Sequence, residues 1–168
     1  MKLLQPTIVI DTLDALDLAY WHQQGIRGIF IDLDNTIAPW RQTAISAEAR
    51  AFFGRAKEAN LQVLLFTNAM EKRAREAALT VGVNALGMAR KPFPGGYRRA
   101  LQMVQLAPHQ VMSIGDQVFT DVLGGNLAGC TTVLLPPLAE KEYWGTKLLR
   151  RFERMVGMYR PYRQSASR

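Results

Sequence analysis

The sequence of 168 residues has a single cysteine, Cys130, and lacks any long run of apolar residues. One cysteine excludes an internal disulfide and fits a reducing compartment, which favours the cytoplasm. The longest uncharged stretch, from Val122 to Ala139, includes three glycines and two prolines, so it predicts helix, turn and strand rather than a membrane span. Near the start, Pro6 and several aspartates interrupt the apolar residues, unlike a secretory signal. The length and composition predict one globular domain over residues 1–168.

Acidic residues are scarce towards the C-terminus. The whole chain has 21 Lys and Arg against 14 Asp and Glu, a formal net charge of +7. The segment from Lys141 to Arg168 contains eight basic and two acidic residues, so residues 1–140 carry a net charge of only +1. A nearly neutral body with a basic tail suggests a polyanionic partner for the tail, either an anionic membrane or nucleic acid.

The basic tail also has helical periodicity, which predicts an amphipathic helix over about residues 140–160. Its apolar stripe is formed by Trp144, Leu148, Leu149, Phe152, Met155, Val156 and Tyr159. Two arrangements remain open: the stripe docks on the domain, or the helix lies on an anionic phospholipid surface at the inner face of the membrane. Nucleic acid is the less favoured partner, because the tail lacks an aromatic or groove-reading signature. The oligomeric state is not predicted.

Apolar strand patterns alternate with helical patterns along residues 1–140. Strands are predicted over 27–33, 61–66, 84–87, 111–114 and 131–135, and helices over 12–24, 46–60, 70–81, 95–106 and 119–128. Strands that are apolar throughout are typical of a parallel sheet covered on both faces. The predicted fold class is therefore α/β, a doubly wound parallel sheet in three layers.

Unusual polar residues follow the predicted strands at their carboxyl ends. They are Asp32-Leu33-Asp34-Asn35-Thr36, Thr67-Asn68, Lys91-Pro92 and Gly115-Asp116-Gln117, with Asp121 five residues beyond Asp116. In sheets of this kind, ligands bind outside the carboxyl ends of the strands. The coincidence of all these residues at one edge predicts a functional site there.

Asp32 and Asp34 are the most informative pair in the chain. If they continue a strand, the side-chain period of two places them on the same side. Two such carboxylates repel each other and raise each other's pKa, and a nearby cation offsets this repulsion. A simple polar turn at a strand end is the alternative, whereas an EF-hand calcium loop is excluded because Ile37 and Thr43 occupy its required Gly and Glu positions.

This set of residues suits the hydrolysis of phosphate monoesters, for which enzymes reach rate enhancements of up to about 10²¹-fold. Asp32 is the candidate nucleophile that forms an aspartyl-phosphate, and Asp34 the candidate acid and base. Asp116 with Asp32 offers hard oxygen ligands for Mg²⁺. Lys91 and the Thr67-Asn68 pair are the candidates for holding the phosphoryl oxygens.

These segments resemble the four motifs of the haloacid dehalogenase-like (HAD) superfamily, in the same order, over roughly residues 27–135. The stretch 115–129 and Gly145-Thr146-Lys147 resemble the YqeG-type phosphatases of subclass IIIA. The resemblance implies a HAD-like Rossmannoid fold and a phosphatase with Asp32 as nucleophile and Asp34 as acid and base. It also implies Mg²⁺ held by Asp32, the Asp34 carbonyl oxygen and Asp116, supported by Asp121, with phosphate bound by Thr67 and Lys91.

The spacing of the motifs leaves no room for an inserted cap domain. The 35 residues from Asp32 to Thr67 and the 23 from Asn68 to Lys91 are already filled by predicted helices and strands. The resemblance implies that such capless members act on large substrates. A lipid such as phosphatidylglycerophosphate is therefore the first expectation, with nucleic-acid ends or small phosphate esters as alternatives. A non-catalytic scaffold that binds RNA or the ribosome through the basic tail is a further alternative.

Overall fold

The structure is a computed structural model that describes residues 2–138. The amphipathic helix predicted over about 140–160 lies outside these residues, as does Gly145-Thr146-Lys147. The strands are β1 (Ile8–Val9), β2 (Gly28–Ile31), β3 (Gln62–Phe66), β4 (Asn84–Leu86), β5 (Val111–Gly115) and β6 (Thr131–Leu134). The helices are α1 (Leu18–Gln23), α2 (Ala47–Glu58), α3 (Glu71–Leu79), α4 (Pro94–Val104) and α5 (Leu123–Ala128).

The six strands form one parallel sheet in the order β1-β6-β5-β2-β3-β4. From β2 the chain builds outward through β3 and β4, and it then returns to the other side of β2 with β5. The switch point therefore lies between β2 and β5, whose carboxyl ends lead to Asp32 and Asp116. Crevices at such switch points are where α/β sheets bind their ligands.

Alternate side chains of β2 enter two different apolar layers. Ile29 and Ile31 pack in the core cluster that contains Phe52 of α2, whereas Phe30 packs with Tyr97 of α4. The strand is fully buried because helices cover both faces of the sheet. This arrangement confirms the predicted three-layer, doubly wound α/β fold.

The intervals between the site motifs contain no additional domain. Residues 32–46 form a loop that leads to α2, and Ser46 caps this helix by accepting a hydrogen bond from the Ala49 N–H at 3.2 Å. Only α3 separates β3 from β4. The capless architecture is thus confirmed, and none of the helices within residues 2–138 is long and apolar enough to cross a membrane.

The N-terminal part of the chain differs from the prediction. The single helix expected over 12–24 is wrong: a 3₁₀ turn at Leu13–Ala15 precedes α1, and Leu16 between them is extended. The side chain of Leu16 is buried in the core, and Asp17 caps α1 by accepting from the Tyr20 N–H, so a new helix starts there. Strand β1 was not predicted, because two residues are too short for a recognisable pattern.

Candidate active site

The structure brings the polar residues that follow the strands into one buried group. Asp32 follows β2, Thr67 follows β3 and Asp116 follows β5, while Lys91 and Asp121 reach the same place from the segments after β4 and β5. All five side chains are buried. A cavity of about 470 Å³ opens above them, lined by Asp32, Asp34, Trp40, Arg41, Thr67, Asn68, Ala69, Met70, Arg73 and Lys91.

Lys91 joins two of the carboxylates. Its Nζ donates to Asp32 Oδ1 at 2.7 Å and to Asp121 Oδ1 at 2.5 Å, and its side chain is only 2% exposed. Burial alone would lower the pKa of Lys91, but the charges of Asp121 and Asp32 outweigh burial and raise this pKa well above its ordinary value. The two carboxylates therefore favour the charged ammonium form of Lys91 at the base of the cavity.

Asn68 holds the Lys91 segment in position. Its side-chain Nδ2 donates to the Lys91 carbonyl at 3.1 Å, and its Oδ1 accepts from the Lys91 N–H at 2.7 Å. This reciprocal pair ties the end of β3 to the segment after β4. These contacts make Asn68 a support for the Lys91 backbone, and its role in phosphate binding stays a prediction.

Asp121 is oriented by the turn in which it lies. Its Oδ2 accepts from the Gln117 N–H and the Thr120 hydroxyl, both at 3.2 Å. Its backbone carbonyl accepts from the hydroxyl of the buried Tyr97 at 3.2 Å. A single π-helical turn, Val118–Val122, directs the carboxylate back towards Lys91. Tyr97 is a supporting residue that the sequence did not single out.

Three carboxylates lie close enough together to hold one cation. One oxygen each of Asp32, Asp116 and Asp121 falls within a 4.8 Å group, and the Thr36 hydroxyl donates to Asp116 Oδ1 at 3.4 Å. With Lys91, these three acidic groups sum to a formal charge of −2. Burial raises the pKa of Asp32 to about 6, against the opposing charge of Lys91 and with a further upward contribution from Asp121. Hard oxygen donors with this charge fit a divalent cation such as Mg²⁺.

Asp34 lines the same cavity but has different partners. Both terminal nitrogens of Arg73, on α3, donate to the Asp34 carboxylate, and one of them lies 2.6 Å from Oδ1. The backbone N–H of Arg41 also donates to Oδ1, at 2.9 Å. Strand β2 ends at Ile31, before either aspartate, so the two carboxylates are held in a loop and not in a strand. Both residues line the same cavity, although the strand on which the expectation rested ends before them.

Arg73 was missed by sequence reasoning, although one signal was available. Together with Lys72, it places two cations in the first turn of α3. The N-terminal end of a helix favours negative charge, so cations there are unfavourable unless another group compensates them. Asp34 supplies the compensating charge for Arg73.

The hydroxyl of Thr67 is available to the cavity. Its oxygen accepts from the Ala69 N–H at 3.2 Å, which leaves the hydroxyl proton for an acceptor above it. The backbone of Thr67 is held on both sides, because its N–H donates to Leu86 and its carbonyl accepts from Ala89.

Comparison with known proteins identifies the family. The probable phosphatase YqeG of Bacillus subtilis (strain 168) is 32% identical over 134 residues, which span 80% of this chain and 78% of that protein. A family model described as HAD-hydrolase-like matches residues 88–136. The chain belongs to the HAD superfamily, in its YqeG-type phosphatase branch.

Two further similarities place this HAD phosphatase among its relatives. Phosphatidylglycerophosphate phosphatase 1 of Chlamydomonas reinhardtii is 32% identical over 142 residues, covering 77% of this chain and 52% of that protein. The cobalt-bound deoxy-D-mannose-octulosonate 8-phosphate phosphatase of Haemophilus influenzae matches with a TM-score of 0.54 at 14% identity, over 67% of this chain and 69% of that chain. At this identity, the structural similarity supports the fold alone. HAD phosphatases generally use a divalent metal ion, and the three-carboxylate group is where this member could hold one.

Gly115 gives a first test of how the HAD site is packed. A Cβ built on Gly115 would lie 2.2 Å from Asp121 Cγ, so Gly115→Ala must displace the Asp121 carboxylate from its place beside Lys91. We expect a loss of about 1–3 kcal/mol in the free energy of unfolding, measured by urea denaturation in EDTA. Gly54→Ala is the matched control, because its Cβ meets nothing within 4 Å and the helix gains about 0.5–1 kcal/mol. Equal effects of the two substitutions would contradict the assigned packing.

Proposed function

We propose that this protein is a Mg²⁺-dependent phosphomonoesterase that works through a phospho-Asp32 intermediate on a large or membrane-bound substrate. The observation that carries the proposal is the group of three buried carboxylates beside Lys91 and Thr67 at the base of an open cavity. Each chemical role needed for the reaction has a side chain in reach of that cavity. The substrate to test first is phosphatidylglycerophosphate.

The metal site comprises Asp32, Asp116 and the Asp34 carbonyl oxygen, with Asp121 in support. The grouped carboxylate oxygens and their formal charge fit this assignment. When bound, Mg²⁺ supplies charge neutralisation for the phosphoryl oxygens and lowers repulsion between them and the attacking carboxylate.

The chain's own residues account for the two chemical steps. In the first, an Asp32 carboxylate oxygen attacks phosphorus, the bond to the leaving oxygen breaks, and that oxygen takes a proton from Asp34. In the second, Asp34 takes a proton from water, the water oxygen attacks phosphorus, and the bond to Asp32 breaks. Inorganic phosphate leaves, Asp32 is again an ionised carboxylate, and Asp34, which began the cycle protonated, again holds a proton. Lys91 and the Thr67 hydroxyl hold the phosphoryl oxygens during both steps.

The surroundings of the cavity support a lipid substrate. The mouth carries two apolar side chains that remain in contact with water, Trp40 at 39% and Met70 at 73% exposure. Exposed apolar residues beside a polar site suit a ligand with both a charged headgroup and an apolar part. The algal relative is named as a phosphatidylglycerophosphate phosphatase, and the basic tail from Lys141 to Arg168 would favour an anionic membrane. We place the protein in the cytoplasm, in peripheral contact with the inner face of the membrane.

The test compares phosphate release from detergent-dispersed phosphatidylglycerophosphate, soluble sugar phosphates and a 5′-phosphorylated oligonucleotide. We expect the lipid to be the preferred substrate by kcat/KM, with Mg²⁺ present and with activity lost in excess EDTA. A preference for the sugar phosphates would contradict the lipid assignment. A preference for the oligonucleotide would indicate a nucleic-acid end phosphatase. No turnover of any of the three would favour the non-catalytic scaffold.

A further inference from the structure

The contact with Arg73 restrains Asp34, the residue proposed to act as acid and base. Both carboxylate oxygens of Asp34 accept from the guanidinium of Arg73, and Oδ1 also accepts from the Arg41 N–H. The pair is largely shielded, with side-chain exposures of 21% for Arg73 and 11% for Asp34. A two-point contact of this kind fixes both the position and the plane of the carboxylate.

Arg73 restrains Asp34 in this arrangement. Oδ1 accepts from both Arg73 and the Arg41 N–H, whereas Oδ2 accepts from Arg73 and keeps a second lone pair. To turn towards a leaving oxygen, Oδ2 must leave the plane that the guanidinium fixes, and release of Oδ2 by the guanidinium allows that movement. A charged group that attracts the guanidinium more strongly, or shares it, would favour this release.

Arg73 is placed to meet such a group. Its side chain lines the cavity that also contains Asp32, Thr67 and Lys91, so it faces the space that a substrate would fill. Glu71, the acidic residue in the same helical turn, is bound to Arg75 and to the Gly87 N–H instead. Among the described residues, Asp34 is the carboxylate that forms an ion pair with Arg73. An arginine fork matches phosphate or carboxylate with two parallel hydrogen bonds.

We propose that Arg73 is a recognition site for a second anionic group of the substrate, and that binding of this group draws the guanidinium away from Asp34. The site would select phosphomonoesters that also carry a phosphodiester, a carboxylate or another phosphate over those with one anionic group. Arg73 thereby couples substrate identity to the release of Asp34. The inference rests on the proposed phosphatase function and adds the substrate feature that the cavity selects.

The experiment uses the full chain and two soluble substrates, so that membrane binding plays no part. One is glycerophosphoglycerophosphate, which has a phosphomonoester and a phosphodiester; the other is glycerol phosphate, which has the monoester alone. We expect the wild type to prefer the first by about 10- to 100-fold in kcat/KM, the range of a charge-assisted hydrogen-bonded contact. Arg73→Gln should reduce this ratio to about 1, and Arg73→Lys should retain part of it because the charge remains without the fork.

Lys72→Gln is the matched control, because it removes the neighbouring cation on α3. The Lys72 side chain is 87% exposed. This substitution should leave the ratio unchanged. Circular dichroism establishes whether each variant is folded. If Arg73→Gln does not fold, Arg73→Lys still provides the test. A wild type without preference, or an equal loss on both substrates in the Arg73 variants, would overturn the proposal. Absence of turnover by the wild type on either substrate would instead count against the phosphatase function.

Discussion

Asp32→Asn should abolish Mg²⁺-dependent release of phosphate from a generic aryl phosphate. Asp32 is a buried carboxylate at the switch point, bound to Lys91 and grouped with Asp116 and Asp121. A carboxamide is not a nucleophile towards phosphorus and is a weaker ligand for Mg²⁺, so both functions of the side chain are lost. We expect the rate to fall by about 10⁴-fold or more, the scale seen when a nucleophile is removed.

The loss should reflect chemistry and not unfolding. The carboxamide oxygen introduced by Asp32→Asn can still accept the hydrogen bond from Lys91, so we expect a folded variant by circular dichroism. Asp14→Asn is the matched control, because it makes the same change at a carboxylate with 65% exposure that pairs with Arg55. It should retain wild-type activity. Full activity of Asp32→Asn would refute the assignment of the nucleophile.

Lys91→Gln should cause the largest loss of stability among single changes at the site. The substitution leaves Asp32 and Asp121 buried without the ammonium that lies between them. Removing one partner from a buried ion pair typically lowers the free energy of unfolding by about 3–5 kcal/mol, because the remaining charge is neither hydrated nor compensated. Urea denaturation in EDTA measures this quantity without a contribution from metal binding.

A double substitution shows whether the loss of stability in Lys91→Gln comes from uncompensated charge or from altered packing. If uncompensated charge is the cause, Lys91→Gln combined with Asp121→Asn should be more stable than Lys91→Gln alone, because one of the two carboxylates is removed. If the losses simply add, the ion-pair explanation is wrong. Lys72→Gln serves as the control for loss of a lysine, and we expect it to change the free energy of unfolding by less than about 0.5 kcal/mol.

The parts of the fold that the sequence predicted correctly depend on local patterns. The apolar run 28–31 forms β2, and Ser46 caps α2, because strand burial and helix capping are set by residues near in sequence. The helix expected over 12–24 failed because burial of Leu16 overrides the local helical pattern. The two residues of β1 gained strand structure only by pairing with β6.

For the candidate site, too, the sequence predicted the features that depend on local pattern and did not predict individual side-chain contacts. The order of the motifs at strand ends predicted which residues gather at one edge, since parallel strands bring their carboxyl ends together. It did not predict that Asn68 would brace Lys91, or that Arg73 would grip Asp34 across 39 positions of sequence. These contacts involve single side-chain directions, which the periodicity of a strand or helix does not specify.

By itself, the sequence determined the α/β class, the absence of a cap and the set of residues available for chemistry, because each depends on pattern and spacing along the chain. Only the tertiary structure decided which charges meet. The order β5-β2-β3 brings Asp116, Asp32 and Thr67 side by side, and the segments after β4 and β5 place Lys91 between Asp32 and Asp121. In a buried site, the charged partner of a carboxylate restrains its position and its freedom to react, and here that partner is far away in sequence.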